Sequence, residues 1–227
     1  MRIAGFAALT TVFVLSACGS GSSDSYQDTS PDTIANDVSD AMKDVSSLHM
    51  VGTLTQGGQN IDVDLAMSES GNCEGTMSFE GQGSLDLIVT DGSGFFKPDE
   101  QFWRSQAGPQ ADAVIGQVGD KWVAVTGQMA PATAACDWNQ FTGGFDDPKD
   151  NKIKEVTGTD EVDGEDTVTV TFESDDGNPG VANVLASDPH YIVKMQVEKQ
   201  GELTFSEFGD PVEPEAPTDV IDLQQLQ

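Results

Sequence analysis

Leu48-His49-Met50-Val51-Gly52-Thr53-Leu54-Thr55-Gln56-Gly57-Gly58-Gln59-Asn60-Ile61-Asp62-Val63-Asp64-Leu65-Ala66-Met67 decides the fold of this chain. Ile61, Val63, Leu65 and Met67 alternate with Asn60, Asp62, Asp64 and Ala66, a period of two that belongs to a strand with one dry face and one wet face. Gly57-Gly58 is the turn that reverses it, so the stretch is a β-hairpin. The pattern continues outward. Cys73, Gly75, Met77 and Phe79 alternate with Glu74, Thr76, Ser78 and Glu80, and Leu85, Leu87 and Val89 follow. Asp91-Gly92 is the next turn. Phe95-Phe96 and Phe102-Trp103 read as short strands flanking Pro98-Asp99. The expectation is an antiparallel meander packed on one side.

Upstream the period changes. Ser30-Pro31 is a helix start, with Ser as N-cap and Pro at the first position. Ile34, Val38, Ala41, Met42 and Val45 form one apolar stripe through about Ser46. Downstream, Pro109 to Val118 and Ala132 to Phe145 read as helical, with Lys121 to Val125 extended between them. Strands are then expected at Ile153 to Gly158, at Val168/Val170/Phe172, at Tyr191/Val193/Met195/Val197 and at Leu203/Phe205. Asp163-Gly164 is a turn. The stretch from Pro211 to Pro217 is extended, and Val220 to Leu226 either pairs or lies on the surface.

The N-terminus sets the compartment. Arg2 precedes an apolar run from Ile3 to Leu15, then Ser16-Ala17-Cys18-Gly19. A charged start, a short apolar middle and small residues make a secretory signal. The run is about a dozen residues, short of the about 20 needed to span a bilayer. Small residues leading into a cysteine resemble the bacterial lipobox, which implies that Cys18 is acylated (palmitate among the chains) and becomes the new N-terminus. Two or more acyl chains anchor stably where one does not. The expected plan is a signal peptide over 1–17, a Ser/Gly/Asp-rich tether over 18–29 and one domain over 30–227. The expected location is the extracytoplasmic face of the cell membrane.

With Cys18 acylated, Cys73 and Cys136 remain. One leftover pair in an exported chain most simply forms a disulfide. The spacing fits neither a Cys-x-x-Cys redox pair nor a zinc cluster.

Charge narrows the partners. The chain carries 39 acidic and 10 basic residues, net -29. That disfavours nucleic acid and anionic head groups over most of the surface, and it keeps neighbouring copies apart, so a monomer is expected. Catalysis has little to stand on. His49 and His190 are the two histidines, and neither sits in a nucleophile motif. No cofactor motif is present. Asp160-Glu161-Val162-Asp163-Gly164-Glu165-Asp166 and Asp146-Asp147-Pro148-Lys149-Asp150-Asn151 are dense in oxygen ligands, but neither has the calcium-loop spacing. Both read as solvated turns.

Several passages resemble the LolA-like lipoproteins of the LppX/LprG type. They are Ser47-Leu48-His49-Met50-Val51-Gly52-Thr53; Phe95-Phe96-Lys97 with Phe102-Trp103 and then Gly119-Asp120-Lys121-Trp122-Val123; Thr157-Gly158-Thr159-Asp160-Glu161-Val162-Asp163-Gly164; and Leu203-Thr204-Phe205-Ser206-Glu207-Phe208-Gly209 with Pro211 and Pro217. The resemblance implies an α+β fold in which a strongly curved antiparallel sheet, a half-barrel, is covered by helices. It also implies a space between them that holds an acyl chain or a lipidated partner. On that picture the cavity-lining candidates are Met50, Ile61, Val63, Leu65, Met67, Met77, Leu85, Leu87, Val89, Tyr191, Val193 and Met195, all expected on one concave face under the helix that bears Ile34, Val38, Met42 and Val45. Methionine suits an adaptable apolar cavity and equally fills an ordinary core. Two functions follow: a membrane-anchored carrier of lipid or of an acylated partner, or an envelope interaction protein whose interior is filled.

Overall fold

The side chain of Ser30 accepts a hydrogen bond from the Thr33 amide, and Pro31 opens the helix, so helix α1 runs Pro31–Asp44. The computed structural model describes residues 26–126, 133–145, 152–174 and 176–223. The expected signal peptide, Cys18, the first part of the tether, the Asp146 to Asn151 run and the last four residues lie outside the described residues.

The hairpin forms as its alternation dictates. β1 (Ser47–Gln56) pairs with β2 (Gln59–Ser68) in one unbroken register, with Met50 opposite Leu65 and Gly52 opposite Val63. β3 (Cys73–Phe79), β4 (Gly83–Thr90) and β5 (Ser93–Pro98) extend the meander. Two helices follow, α2 (Glu100–Ala107) and α3 (Ala111–Val118), then β6 (Trp122–Ala124) and α4 (Trp138–Gly143). The return meander is β7 (Ile153–Val162), β8 (Glu165–Glu173), β9 (Pro179–Leu185), β10 (Ile192–Val197) and β11 (Gly201–Ser206), and β12 (Val220–Ile221) closes the chain. Among the described residues these twelve strands make one sheet, ordered β12-β6-β5-β4-β3-β2-β1-β11-β10-β9-β8-β7. The result is an α+β half-barrel with helices on its concave side. The antiparallel rule has one exception, since β12 pairs parallel to β6.

Close approach between strands explains two glycines. A Cβ on Gly52 would fall 2.1 Å from the Glu202 carbonyl oxygen, and one on Gly75 would fall 1.9 Å from that of Asp64. Both have φ near +150°, a conformation open to glycine and costly for other residues. They let neighbouring backbones crowd together on the inner face of the curved sheet.

The described sheet departs from the sequence reading in four places. Phe102-Trp103 lies in helix α2, not in a strand. Pro98 ends β5, and Asp99 caps the helix by accepting from the Phe102 amide at 2.6 Å. Strand β9 was not foreseen. Its inward residues Gly180, Ala182 and Val184 are small, so its alternation is faint against Pro179 and Asn183. Third, Tyr191, Val193 and Met195 do not share one face. A bulge between Ile192 and Lys194 shifts the register, so Ile192 opposes Val184 and Met195 opposes Ala182. Tyr191 precedes the strand and stacks on Phe208, ring centroids 4.3 Å apart. Fourth, Tyr26, placed by sequence in the tether, is 9% exposed and docked on the domain.

Candidate functional site

The concave side is divided between two covers. Over β3 to β6, Trp103 of α2, Val118 of α3 and Trp138 of α4 are buried with Leu85, Leu87, Phe96 and Val123 in the same core cluster. Over β7 to β10 the cover is α1, whose Ile34, Ala35, Val38 and Met42 are buried.

The cysteines fix the first cover. Cys73 on β3 is bonded to Cys136, 63 residues on, just before α4. A buried hydrogen bond then joins the covers, since Ser39 Oγ of α1 donates to the carbonyl oxygen of Phe145 at 2.7 Å. The Phe145 ring packs on Phe141, which packs on Phe205 of β11.

An apolar gap lies under α1. It is lined by Ala35 and Val38 of α1, Phe145, Ile153 of β7, Val170 and Phe172 of β8, Ala182 and Val184 of β9, and Ile192 and Met195 of β10. Not one of these ten side chains carries a polar atom able to fix a head group. The gap encloses about 30 Å³, room for a few waters and far short of the few hundred Å³ of a small-ligand site. α1 therefore packs on this half of the sheet too tightly to leave room for an acyl chain.

Of the twelve residues expected to line a cavity, Met195 alone lines this gap. Met50, Val63, Leu65, Met67, Leu85 and Leu87 face the concave side but are buried in the core, Leu65 and Leu87 completely. Ile61, Met77, Val89 and Tyr191 are partly buried against it. Val193 sits at the bulge, outside that cluster. Four of the ten residues that do line the gap come from β8 and β9. Val170 and Phe172 were legible as an alternating strand, whereas Ala182 and Val184 offered only small side chains in an unread segment.

A roomier cleft of about 390 Å³ lies beside the α2 and α3 ends, lined by Ser84, Asp86, Lys97, Asp99, Glu100 and Asp120 among others. Four of its nine lining residues are acidic, beside Lys97, Pro98, Ile115 and Gly119, so it mixes charged and apolar wall.

The histidines stand apart. His49 Nε2 is 2.7 Å from Asp64 Oδ1 on the outer face. His190, in the turn between β9 and β10, stacks on Tyr26 with ring centroids 4.0 Å apart and planes 4° off parallel. The Tyr26 hydroxyl donates to Asp37 Oδ2 at 3.0 Å. Burial first, and then this hydrogen bond to Asp37, push the Tyr26 phenol above its ordinary range. Lys154 of β7 pairs with Glu173 of β8 and holds its carboxyl below the usual range. The run from Asp160 to Asp166, expected as a solvated turn, is the paired end of β7 and start of β8, joined by the Asp163-Gly164 turn. Among the described residues no group of three or more acidic, histidine or cysteine side chains is arranged to hold a metal ion. No described helix is long and apolar enough to cross a membrane.

By sequence, no family model and no curated protein matches the chain. Solved structures do. LprF from Mycobacterium bovis superimposes with a TM-score of 0.57 at 18% identity, over 83% of this chain and 97% of its own. The lipoprotein LppX from Mycobacterium tuberculosis gives 0.51 at 15% identity, over 81% and 97%. A curved sheet, a helical cover at each half and this likeness along most of both chains agree: the fold is that of the LolA-like lipoproteins of the LppX type.

Proposed function

We propose that this chain is a lipid-anchored protein of the extracytoplasmic membrane face that binds a hydrophobic ligand, an acyl chain or an acylated partner, between α1 and strands β7 to β10. The observation that carries the reading is the gap itself, ten apolar side chains facing one another beneath a single helix. A pocket without a polar lining selects hydrocarbon and leaves any head group outside. The anchor would come from Cys18 in its lipobox. His49 is engaged by Asp64, and His190 by the Leu185 carbonyl and Asp188, and binding rather than catalysis is the reading taken.

A second reading has one observation in its favour. At about 30 Å³ the closed gap holds no acyl chain, as expected if the interior is filled and the protein only displays a surface. Native mass spectrometry after mild detergent extraction decides between them. Copurifying lipid, or saturable uptake of a fluorescent hexadecanoyl probe, supports the carrier. A clean apo mass with no uptake supports the surface protein.

A further inference from the structure

We propose that Tyr26 closes the end of the gap that faces the bilayer, and that lipid passes there between the protein and the membrane that anchors it. The inference rests on the lipid-binding reading above and adds the route and the gate.

Tyr26 bridges the lid to the sheet. Its hydroxyl holds Asp37 of α1 and its ring lies flat on His190 of the β9–β10 turn. Beside each partner is a residue that lines the gap: Val38 follows Asp37, and Ile192 lies two positions after His190. His190 is a fixed platform, since its Nδ1 donates to the Leu185 carbonyl oxygen at 2.9 Å and its Nε2 stands 3.2 Å from Asp188 Oδ1. The other polar and covalent ties of α1 lie farther along it. Ser39 is bonded to Phe145, and the C-terminal end runs on into β1. Releasing Tyr26 removes the bridge at the N-terminal half of the lid and leaves that half held by the apolar packing of Ile34, Ala35 and Val38 alone.

Chain length points this end at the membrane. Eight residue steps separate Cys18 from Tyr26, at most about 29 Å in any conformation. No such bound holds for the opposite end of the sheet, at the β1–β2 turn, a ten-residue strand or about 33 Å from this one. Lipid leaving at the Tyr26 end therefore meets the bilayer first. Tyr191 and Phe208 add a second aromatic stack at the same turn, the amphipathic surface suited to a lipid interface. Asp28, Asp188, Glu207 and Asp210 are exposed nearby, so the bilayer it suits has neutral head groups.

The test uses the full lipidated chain in phosphatidylcholine vesicles that carry the fluorescent hexadecanoyl probe. Uptake rate and amide exchange along α1 are followed for the parent, for Tyr26→Ala, and for a chain with a twenty-residue Gly-Ser insert between Gly21 and Ser22. Circular dichroism checks folding. Tyr26→Ala is expected to speed uptake about tenfold and to raise exchange in the first half of α1, and the insert to slow uptake several-fold. Parent-like uptake and exchange in folded Tyr26→Ala would overturn the gate while leaving lipid binding intact, and an unchanged rate with the insert would overturn the membrane-facing route. If neither parent nor variants take up the probe, the lipid-binding reading fails and the gate with it.

Discussion

Ser39 Oγ reaches across 106 residues of sequence to donate to the carbonyl oxygen of Phe145, and the bond is buried. It is the point at which the helix over β7 to β10 is fastened to the cover that the disulfide holds over β3. Ser39 falls on the same face as Ala35 and Met42, so a hydroxyl stands in an otherwise apolar stripe. Its partner explains it, because a buried carbonyl without a donor is costly.

Ser39→Ala should therefore cost about 1–3 kcal/mol, the penalty of leaving one buried acceptor unsatisfied. Urea denaturation measures it. A change below a few tenths would show that water or another donor replaces the hydroxyl.

Cys73 and Cys136 close a loop of 63 residues. The chain-entropy model gives about 4 kcal/mol for such a loop. Cys73→Ala with Cys136→Ala should lower stability by roughly that amount and loosen the segment before α4 more than the β1–β2 hairpin. Hydrogen exchange after reduction reads both, and equal protection in both places would count against the bridge as a fastening of the cover.

Tyr26 makes stability sensitive to alkali. Its phenol is raised above the ordinary 10.0 by burial and then by Asp37. A group whose folded pKa exceeds its unfolded value adds stability that is whole below the unfolded pKa and is lost as pH rises beyond it. The urea midpoint should therefore fall more steeply above about pH 10 in the parent than in Tyr26→Phe. Parallel curves for the two would mean that Tyr26 titrates freely.

Leu87 and Ala182 separate core from gap. Leu87 is fully buried outside the gap, so Leu87→Ala should cost about 2–5 kcal/mol while the folded protein keeps its acyl affinity. Ala182 lines the gap, and Ala182→Val adds two methyl groups where space is empty. That variant should be near-neutral in stability and bind the acyl probe several-fold more weakly. Denaturation and probe titration on both variants check it, and the reverse pattern would move the site back to the β1–β4 face.

Backbone crowding gives a further test. Gly75→Ala would push a Cβ to 1.9 Å from the Asp64 carbonyl oxygen at φ +149°. The strand must shift, so a loss of about 2 kcal/mol is expected, opposite in sign to the gain of about 0.5–1 kcal/mol that Ala usually brings in place of Gly in a strand. Thermal denaturation measures it.

The sequence alone determined what short-range pattern can carry. Ile61 to Met67 alternate, and a period of two has one structural meaning, so the hairpin and its inward face follow from it. Ser30-Pro31 with the Ile34/Val38/Met42 stripe set α1 for the same local reason. Cys73 and Cys136, the two cysteines outside the expected signal and anchor, pointed to each other. Local pattern misled where a cap or a bulge outweighs it. Asp99 turns Phe102-Trp103 into a helix, and one extra residue at Val193 puts Ile192 on the inner face beside Met195, where Tyr191 and Val193 were expected. The gap was beyond the reach of pattern altogether. Alternation shows that Leu65, Leu87 and Val184 all point inward, but an inward side chain meets either a tight neighbour or a void according to which helix lies above it. Only the tertiary structure placed Trp103 and Val118 over one half of the sheet and α1 over the other. Only it brought Tyr26 onto Asp37 and His190, because the stack on His190 joins residues far apart in the chain and no short-range period encodes either contact.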